Sequence, residues 1–133
     1  MRQKKCQPRR GAATVELAVL LPFLVFLFAI ATDFSRVFHY SQVIENCALN
    51  GAFYAAGYSN AQSPYTSTEQ AALADAGSLS PQPTVTSSTS SDASGNAYAA
   101  VTVSWQFEAV MSVPGVPSTT KLSRTVRMRV APN

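Results

Sequence analysis

One uninterrupted apolar segment near the N-terminus restricts this chain more than any other feature. From Leu17 to Ala31, fifteen consecutive residues carry no charge, and adding Ala12 to Val15 gives a twenty-residue window in which only Glu16 is charged. An α-helix rises about 1.5 Å per residue, so about twenty residues cross the roughly 30 Å hydrocarbon core of a bilayer. The window therefore predicts a transmembrane helix over residues 12–32.

The basic residues are concentrated before this window. Five of the ten Lys and Arg residues lie in the first ten positions, and the chain beyond them has five basic and seven acidic residues, a net charge of −2. Because positive residues that flank a membrane helix stay in the cytoplasm, we expect residues 1–11 to form a basic cytoplasmic leader and the chain after about residue 32 to be exported. A nucleic-acid-binding domain would carry its positive charge on the folded part, so we expect no nucleic-acid partner.

The helical pattern continues beyond the membrane window. No proline occurs from Asp33 to Tyr58, and apolar residues recur there at steps of three and four positions, as in an amphipathic helix. We expect residues 33–58 to be a periplasmic extension of the same helix, which ends near Gly57. Together the two parts make a helix of about 45 residues, or roughly 70 Å.

The remaining residues, 59–133, predict a small exported α+β domain. Thr68 to Ala76 has a short helical pattern, with Ser67 or Thr68 as its N-cap and Gly77 as its stop. Two later segments alternate between apolar and polar residues, as half-buried strands do, and a weaker strand precedes them. The inward-facing residues are expected to be Ala97, Ala99, Val101, Val103, Trp105 and Phe107 in one strand, and Leu122, Val126, Met128 and Val130 in the other.

These strands predict a three-stranded antiparallel sheet packed on the outer half of the long helix. The weaker strand, Thr84 to Ser90, is joined to the next by a hairpin turn at Ser91–Asn96, and Val113 to Pro117 is expected to be a loop. Arg124 interrupts the apolar row of the last strand, so we expect it near an edge or a carboxylate. A sheet this small needs the helix to cover its apolar face.

The chain offers little material for catalysis. It has one histidine, His39, and two cysteines, Cys6 and Cys47, which lie on opposite sides of the membrane window. We therefore expect no intramolecular disulfide, no metal site, no cofactor and no enzymatic activity. Cys47 is expected to be a packed helix residue, and the alternative is an intermolecular disulfide in an oxidising compartment.

Glu16 is the residue most in need of an explanation, because a carboxylate at the head of an apolar helix disfavours membrane insertion. One interpretation is that it lies shallow enough to stay hydrated. The other is that a partner neutralises it. Cleavage after Gly11 would give Ala12 a free cationic amine, and this amine could pair with Glu16 of a neighbouring helix and fix the register between them.

The stretch RRGAATVELAVLLP, from Arg9 to Pro22, closely resembles the N-terminus of TadE-like pseudopilins, minor components of the tight-adherence (Flp) branch of type IV pilus systems. The resemblance implies cleavage between Gly11 and Ala12 by a prepilin peptidase and an assembly role for Glu16 as residue five of the mature chain. It also implies a role in Flp pilus assembly and adhesion, at the bacterial inner membrane and, once the pilus is assembled, outside the cell. The implied partners are prepilin peptidase, other pilins and pseudopilins, an inner-membrane assembly platform and membrane lipid.

Two alternatives remain open at the level of sequence. Ala29-Ile30-Ala31 has the small-residue pattern of a signal-peptidase site, so the chain could be a secreted soluble binding module that begins at Thr32. Alternatively, it could be an uncleaved single-pass anchor protein unrelated to pili. Glu16 argues against the signal peptide, because such peptides avoid acidic residues at the head of the apolar core.

Overall fold

The computed structural model describes residues 10–58, 63–110 and 118–131. Its first element is one long helix, α1, which runs from Arg10 to Ala55 without a break and covers both the apolar window and its predicted extension. At about 1.5 Å per residue its length is roughly 70 Å. The leader, including Cys6, lies almost entirely outside the described residues, so its place in the cytoplasm stays a prediction.

The end of α1 is formed by a Schellman-type turn around Gly57, close to the predicted position. Gly57 has φ +82°, its N–H donates to the carbonyl of Tyr54 at 3.1 Å, and the N–H of Tyr58 donates to the carbonyl of Phe53 at 3.3 Å. The rings of Phe53 and Tyr58 meet edge to face, with centroids 6.4 Å apart, which supplies the apolar contact that accompanies this motif. Glycine is favoured here because it adopts positive φ without a steric cost.

The short helix α2 spans Thr68–Leu73, and Ser67 is its N-cap. The Ser67 hydroxyl accepts a hydrogen bond from the N–H of Gln70 at 3.1 Å, as predicted for one of the two candidate caps. The expected extension to Ala76 and the stop at Gly77 are wrong. The N–H of Ala76 bonds to Leu73, three residues back, so the chain tightens into a turn at that point instead of adding another α-helical turn.

The three predicted strands are present and form one antiparallel sheet in the order β1-β2-β3, which confirms the α+β class. The bounds are Thr84–Ser91 for β1, Ala97–Glu108 for β2 and Thr119–Arg129 for β3. The β1–β2 turn falls where it was predicted, with Gly95 at φ +80°. The loop predicted at Val113–Pro117 lies outside the described residues.

The core lies between the sheet, the second half of α1 and α2. Val101 and Val103 of β2 are fully buried against Ile44 and Cys47 of α1. Small helix residues allow this close approach: a Cβ built on Gly51 would lie 2.9 Å from Cβ of Ala72 and 3.0 Å from Cγ1 of Val101. The core therefore depends on the Ala- and Gly-rich second half of α1.

Some of the expected inward-facing residues lie at the rim of the core. Ala97 is exposed, and Trp105, Leu122, Val126, Met128 and Val130 are only half-buried. Trp105 is kept at the rim because its indole N–H needs a polar partner, which it finds in the carbonyl of Pro81 at 2.7 Å. The β3 residues are less buried than their β2 partners because β3 is an edge strand with one neighbour.

Arg124 lies on an edge strand and near a carboxylate, as predicted. Its Nε lies 4.0 Å from Oε2 of Glu45, and its Nη2 donates a hydrogen bond to the Ser41 hydroxyl at 2.6 Å. Both partners belong to α1, so Arg124 links the last strand to the long helix.

Candidate functional site: the exposed half of the long helix

The first half of α1 is an apolar helix that nothing in the described structure covers. Every residue from Gly11 to Phe28 is exposed, and the most apolar eighteen-residue window of the helix has none of its residues buried. By length and composition this helix can cross a membrane. A folded domain exposes such a surface only when lipid or another protein covers it.

The three residues singled out in the sequence lie in the first two turns of this exposed half. Gly11, Ala12 and Glu16 are all exposed, and a Cβ built on Gly11 would have no atom within 4 Å. Ala12 and Glu16 are four positions apart, so they lie on the same face of the helix. The structure therefore places them together at one end of the molecule, whereas their roles in cleavage and assembly stay predictions.

Pro22 lies inside α1, and the helix continues through it. A proline in a helix removes one main-chain hydrogen bond, here the bond to the carbonyl of Ala18, and its ring crowds that carbonyl. Such a residue weakens the helix locally, within the exposed half and one and a half turns beyond Glu16.

A polar junction joins the exposed half of α1 to the C-terminal domain. The Asp33 carboxylate accepts a hydrogen bond at 3.2 Å from the N–H of Val110, two residues beyond the end of β2, and it pairs with Arg36 at 3.3 Å. The Arg36 guanidinium lies over two rings, 5.4 Å from the centroid of Phe107 and 5.9 Å from that of Tyr40. These contacts hold the end of the sheet against the helix where the apolar window ends.

Sequence reasoning missed this junction. Asp33 and Val110 are 77 positions apart, and the contact joins a side chain to a main-chain N–H that no residue pattern reveals. The only available signal was that a charge pair three positions apart, Asp33 and Arg36, follows the apolar window directly.

An aromatic cluster continues from the junction into the core. The ring of Tyr40 lies 5.0 Å from that of Trp105 and 6.0 Å from that of Phe107, measured between centroids. Such tilted ring pairs add to the free energy of burial alone. The cluster fixes β2 along α1, so the sheet cannot slide along the helix without breaking it.

Cys47 lies inside the core, which supports the interpretation of a packed helix residue. Its side chain is fully buried, and burial, followed by the negative charge of Asp75, raises the pKa of the thiol. A thiol with a raised pKa is a poor nucleophile and is inert toward disulfide exchange. Within the three described ranges, no group of three or more His, Cys, Asp or Glu side chains is arranged to hold a metal ion.

Comparison with known protein families gives a match over the long helix. Residues 11–52 match the family model described as TadE-like protein, and this range covers α1 except for Arg10 and its last three residues. No curated protein and no solved structure gives a match. The match thus falls on the exposed helix and on its continuation into the core, and over this range the chain is similar to TadE-like proteins.

Proposed function

We propose that the chain is a non-catalytic minor pseudopilin, anchored in the bacterial inner membrane, that takes part in the assembly of a Tad/Flp-type adhesive pilus. The observation that carries the proposal is the first half of α1, which is apolar, fully exposed and part of the TadE-like match. Lipid covers this surface before assembly, and the helices of other pilins and pseudopilins cover it afterwards.

The charge distribution supports a single orientation in the membrane. The leader is strongly basic, whereas Arg36, the first basic residue after the apolar window, is occupied by Asp33. The N-terminus therefore stays in the cytoplasm and the C-terminal domain lies in the periplasm. The Asp33–Arg36 junction lies at the periplasmic surface, where charged groups are hydrated and tolerated.

Cleavage between Gly11 and Ala12 is the maturation step that this proposal requires. The bond lies in the first turn of α1, and no side chain packs on Gly11. The first turn of a helix frays at little cost in free energy, so the bond is accessible to a prepilin peptidase without unfolding of the core. Removal of the leader deletes its positive charges and creates a free amine on Ala12.

The new amine and Glu16 then act between neighbouring subunits. Both groups lie on one face of the helix, separated by about one turn. A neighbour whose amine meets Glu16 neutralises a carboxylate that otherwise stays unpaired beside hydrocarbon. The pair contributes little net stability, because both charges are desolvated, and its role is to fix the register of the two helices.

The mass of the mature chain tests this function against the alternatives. Co-expression with a prepilin peptidase is expected to remove eleven residues and give an N-terminus at Ala12, and Gly11→Asp is expected to block this cleavage. A mature chain that begins at Thr32 would instead establish the secreted binding module, because α1 from Thr32 onward contains all of the α1 residues in the core. An intact chain in the presence of active peptidase would establish the uncleaved anchor.

A further inference from the structure

Among the residues that the structure describes, no strand pairs with the outer edge of β1 or of β3, and the hydrogen-bond pattern shows which groups these two edges present. The N–H of Asp92 donates a hydrogen bond to the carbonyl of Asn96. Along an antiparallel pair of strands, hydrogen-bonded and non-hydrogen-bonded residue pairs alternate, so the main-chain groups of the even-numbered residues of β1 bond to β2. The main-chain groups of the odd-numbered residues point away from the sheet. Within the described residues, these groups of Val85, Ser87, Thr89 and Ser91 have no main-chain partner.

The β1 edge lacks the features that usually prevent a strand from pairing with another chain. Its sequence, TVTSSTSS, has no charge and no proline, and all eight residues pair with β2 in one continuous register without a bulge. Exposed edges in soluble proteins normally carry at least one of these features. The opposite edge differs in charge, because β3 carries Lys121, Arg124, Arg127 and Arg129, so it is poorly suited to pair with a copy of itself. The β1 edge is therefore suited to accept a strand.

The direction of the strands limits which strand it accepts. β2 runs antiparallel to α1. Just beyond the end of β2, the N–H of Val110 contacts Asp33, in the middle of α1. Near the start of β2, the neighbouring end of β3 leads to Ala131, whose N–H donates to the Ala56 carbonyl just after α1. Two β1 edges that pair antiparallel are related by a two-fold axis perpendicular to the sheet, which points the two α1 helices in opposite directions. Copies anchored in one membrane point the same way, so this pairing is excluded for them.

We propose that β1 of one copy pairs in parallel with β3 of a second copy anchored in the same membrane. Both strands are antiparallel to β2 and therefore run in the same direction. The two copies then share one continuous sheet, with both α1 helices on the same face. This inference rests on the membrane anchoring proposed above. The contact is heterologous, so it repeats from copy to copy into a ring or a row.

The register follows from the depth at which both copies are anchored. Ser104 pairs with both Thr84 and Ser123, so these residues lie at one level within a chain. Two copies at equal depth place Thr84 beside Ser123 of the second copy and Ser88 beside Arg127 of the second copy. The same spacing places Ser87 level with Val126 of the second copy.

This register satisfies the hydrogen-bond pattern of both edges. The N–H of Ala109 bonds to Ser118 and that of Val130 to Ala97, so the odd-numbered residues of β3 point their main-chain groups outward. In a parallel pair, each residue bonds to the two residues that flank its neighbour. Ser87 therefore meets the outward groups of Thr125 and Arg127 of the second copy, and the helix-facing sides of the two sheets coincide.

The uncharged β1 edge has carboxylates near it, in and after α2, that are complementary to the basic residues of β3. α2 packs beside α1 and against β1, so its exposed carboxylate Glu69 and the nearby Asp75 lie on the side that the second copy approaches. Arg124 of the second copy faces them from the helix side of β3. The Arg124 side chain is half exposed, and its Nε lies as far as 4.0 Å from Oε2 of Glu45. Because this ion pair is long, the guanidinium can bind a second carboxylate.

Disulfide cross-linking in membranes tests the pairing. The full chain, with Cys6→Ser and Cys47→Ala, is reconstituted as two differently tagged populations in phospholipid vesicles, one with Ser88→Cys and the other with Arg127→Cys. Side chains on neighbouring strands lie about 5 Å apart, so we expect about tenfold more Ser88–Arg127 cross-links than Ser88–Ser88 or Arg127–Arg127 cross-links. Mass spectrometry of each population first establishes that α1 is present, which separates a failure of the anchoring from a failure of the pairing.

A proline substitution at the edge tests whether the main chain is responsible. Thr89→Pro removes an N–H that points outward and leaves the bonds to β2 in place, so we expect the cross-link yield to fall about fivefold without a change in the folded domain. Thr89→Val keeps the N–H and is expected to retain the yield. Cross-links mainly between two Ser88 positions, or yields that fall to the random level on dilution with lipid, would overturn the proposal.

Discussion

At the scale of single residues, the close packing at Gly51 is the point where the core tolerates least change. A Cβ at this position would approach Cβ of Ala72 to 2.9 Å, so any side chain must displace α2 or Val101. We expect Gly51→Val to lower the free energy of unfolding by about 2–3 kcal/mol through overpacking. Denaturation of the full chain in detergent, followed by the fluorescence of its single tryptophan, measures this change.

Gly77 provides the matched control for this substitution. A Cβ built on Gly77 has no atom within 4 Å, so Gly77→Val is expected to change the free energy of unfolding by less than about 0.5 kcal/mol. Equal effects of the two substitutions would show that the α1–α2 contact at Gly51 is not tight.

Asp92 is a second residue with a testable individual role, because it organises the β1–β2 turn. Its carboxylate accepts hydrogen bonds from the Asn96 side chain and from the N–H groups of Asn96 and Ser94, and these bonds, the Asn96 side chain first, lower the pKa of Asp92. A lowered pKa in the folded state means that Asp92 stabilises the turn above its unfolded pKa of about 4, and that this contribution is lost as the pH falls through the folded pKa.

The pH dependence of the turn follows from this sign. We expect the amide signals of Ser94 and Asn96 in NMR spectra to be stable at neutral pH and to shift as the pH falls below about 4. Asp92→Asn is expected to abolish this transition. A transition in the wild-type chain centred above the ordinary aspartate pKa would contradict the assigned hydrogen bonds.

At the scale of elements, the sequence was informative where the pattern is local. The period of the apolar residues separates the long helix from the strands, and the glycines at positions 57 and 95 mark turns because both adopt positive φ. The sequence predicts too long an α2 because its apolar pattern continues past Leu73, whereas the chain there closes into a tighter turn. The local sequence pattern does not show whether another α-helical turn or this tighter turn forms.

Contacts between distant elements were not predictable in the same way. Alternation placed Trp105 on the inward face correctly, but not at the rim, because its depth depends on the Pro81 carbonyl, 24 positions away. The same applies to Arg36, whose position over Phe107 depends on how β2 lies along α1. The sequence thus indicates which face of an element is apolar, whereas tertiary packing decides how deeply each residue is buried.

The difference between rim and core gives a prediction for β2. Phe107 is only 3% exposed, so Phe107→Ala is expected to cost about 3–5 kcal/mol of stability, as for other buried aromatic residues. Trp105→Ala should cost less, because that side chain is only partly buried at the rim of the core. Chemical denaturation followed by circular dichroism compares the two variants, and a larger loss for Trp105→Ala would place the centre of the core nearer to Pro81.

At the scale of the whole molecule, the chain combines two parts with different requirements. The C-terminal domain buries its own core against the second half of α1, whereas the apolar first half of α1 is not buried by any part of the chain that the structure describes. The junction at Asp33 and Arg36 separates these parts. Changes in the first half should therefore affect assembly without affecting the fold of the domain.

Glu16 is the residue that tests this separation most directly. It lies in the exposed half, far from every residue of the core, and in the proposed assembly it meets the Ala12 amine of a neighbouring subunit. Glu16→Gln keeps the size of the side chain and removes its charge. We expect normal membrane insertion, normal cleavage at Gly11 and an unchanged domain, because none of these depends on a partner subunit.

Assembly is where Glu16→Gln should fail. Without the charge, a helix that slips by one turn loses no ion pair, so the register between subunits is no longer fixed. We expect affinity purification of the other pilus subunits to recover at least fivefold less of this chain. Loss of an ordinary surface ion pair would cost only about 0.3 kcal/mol and would reduce the recovery less than twofold. Glu45→Gln, an exposed carboxylate on the same helix beyond the apolar window, is the matched control and should co-purify at the wild-type level. Recovery of cleaved Glu16→Gln at the wild-type level would show that Glu16 is a hydrated interfacial residue with no part in assembly.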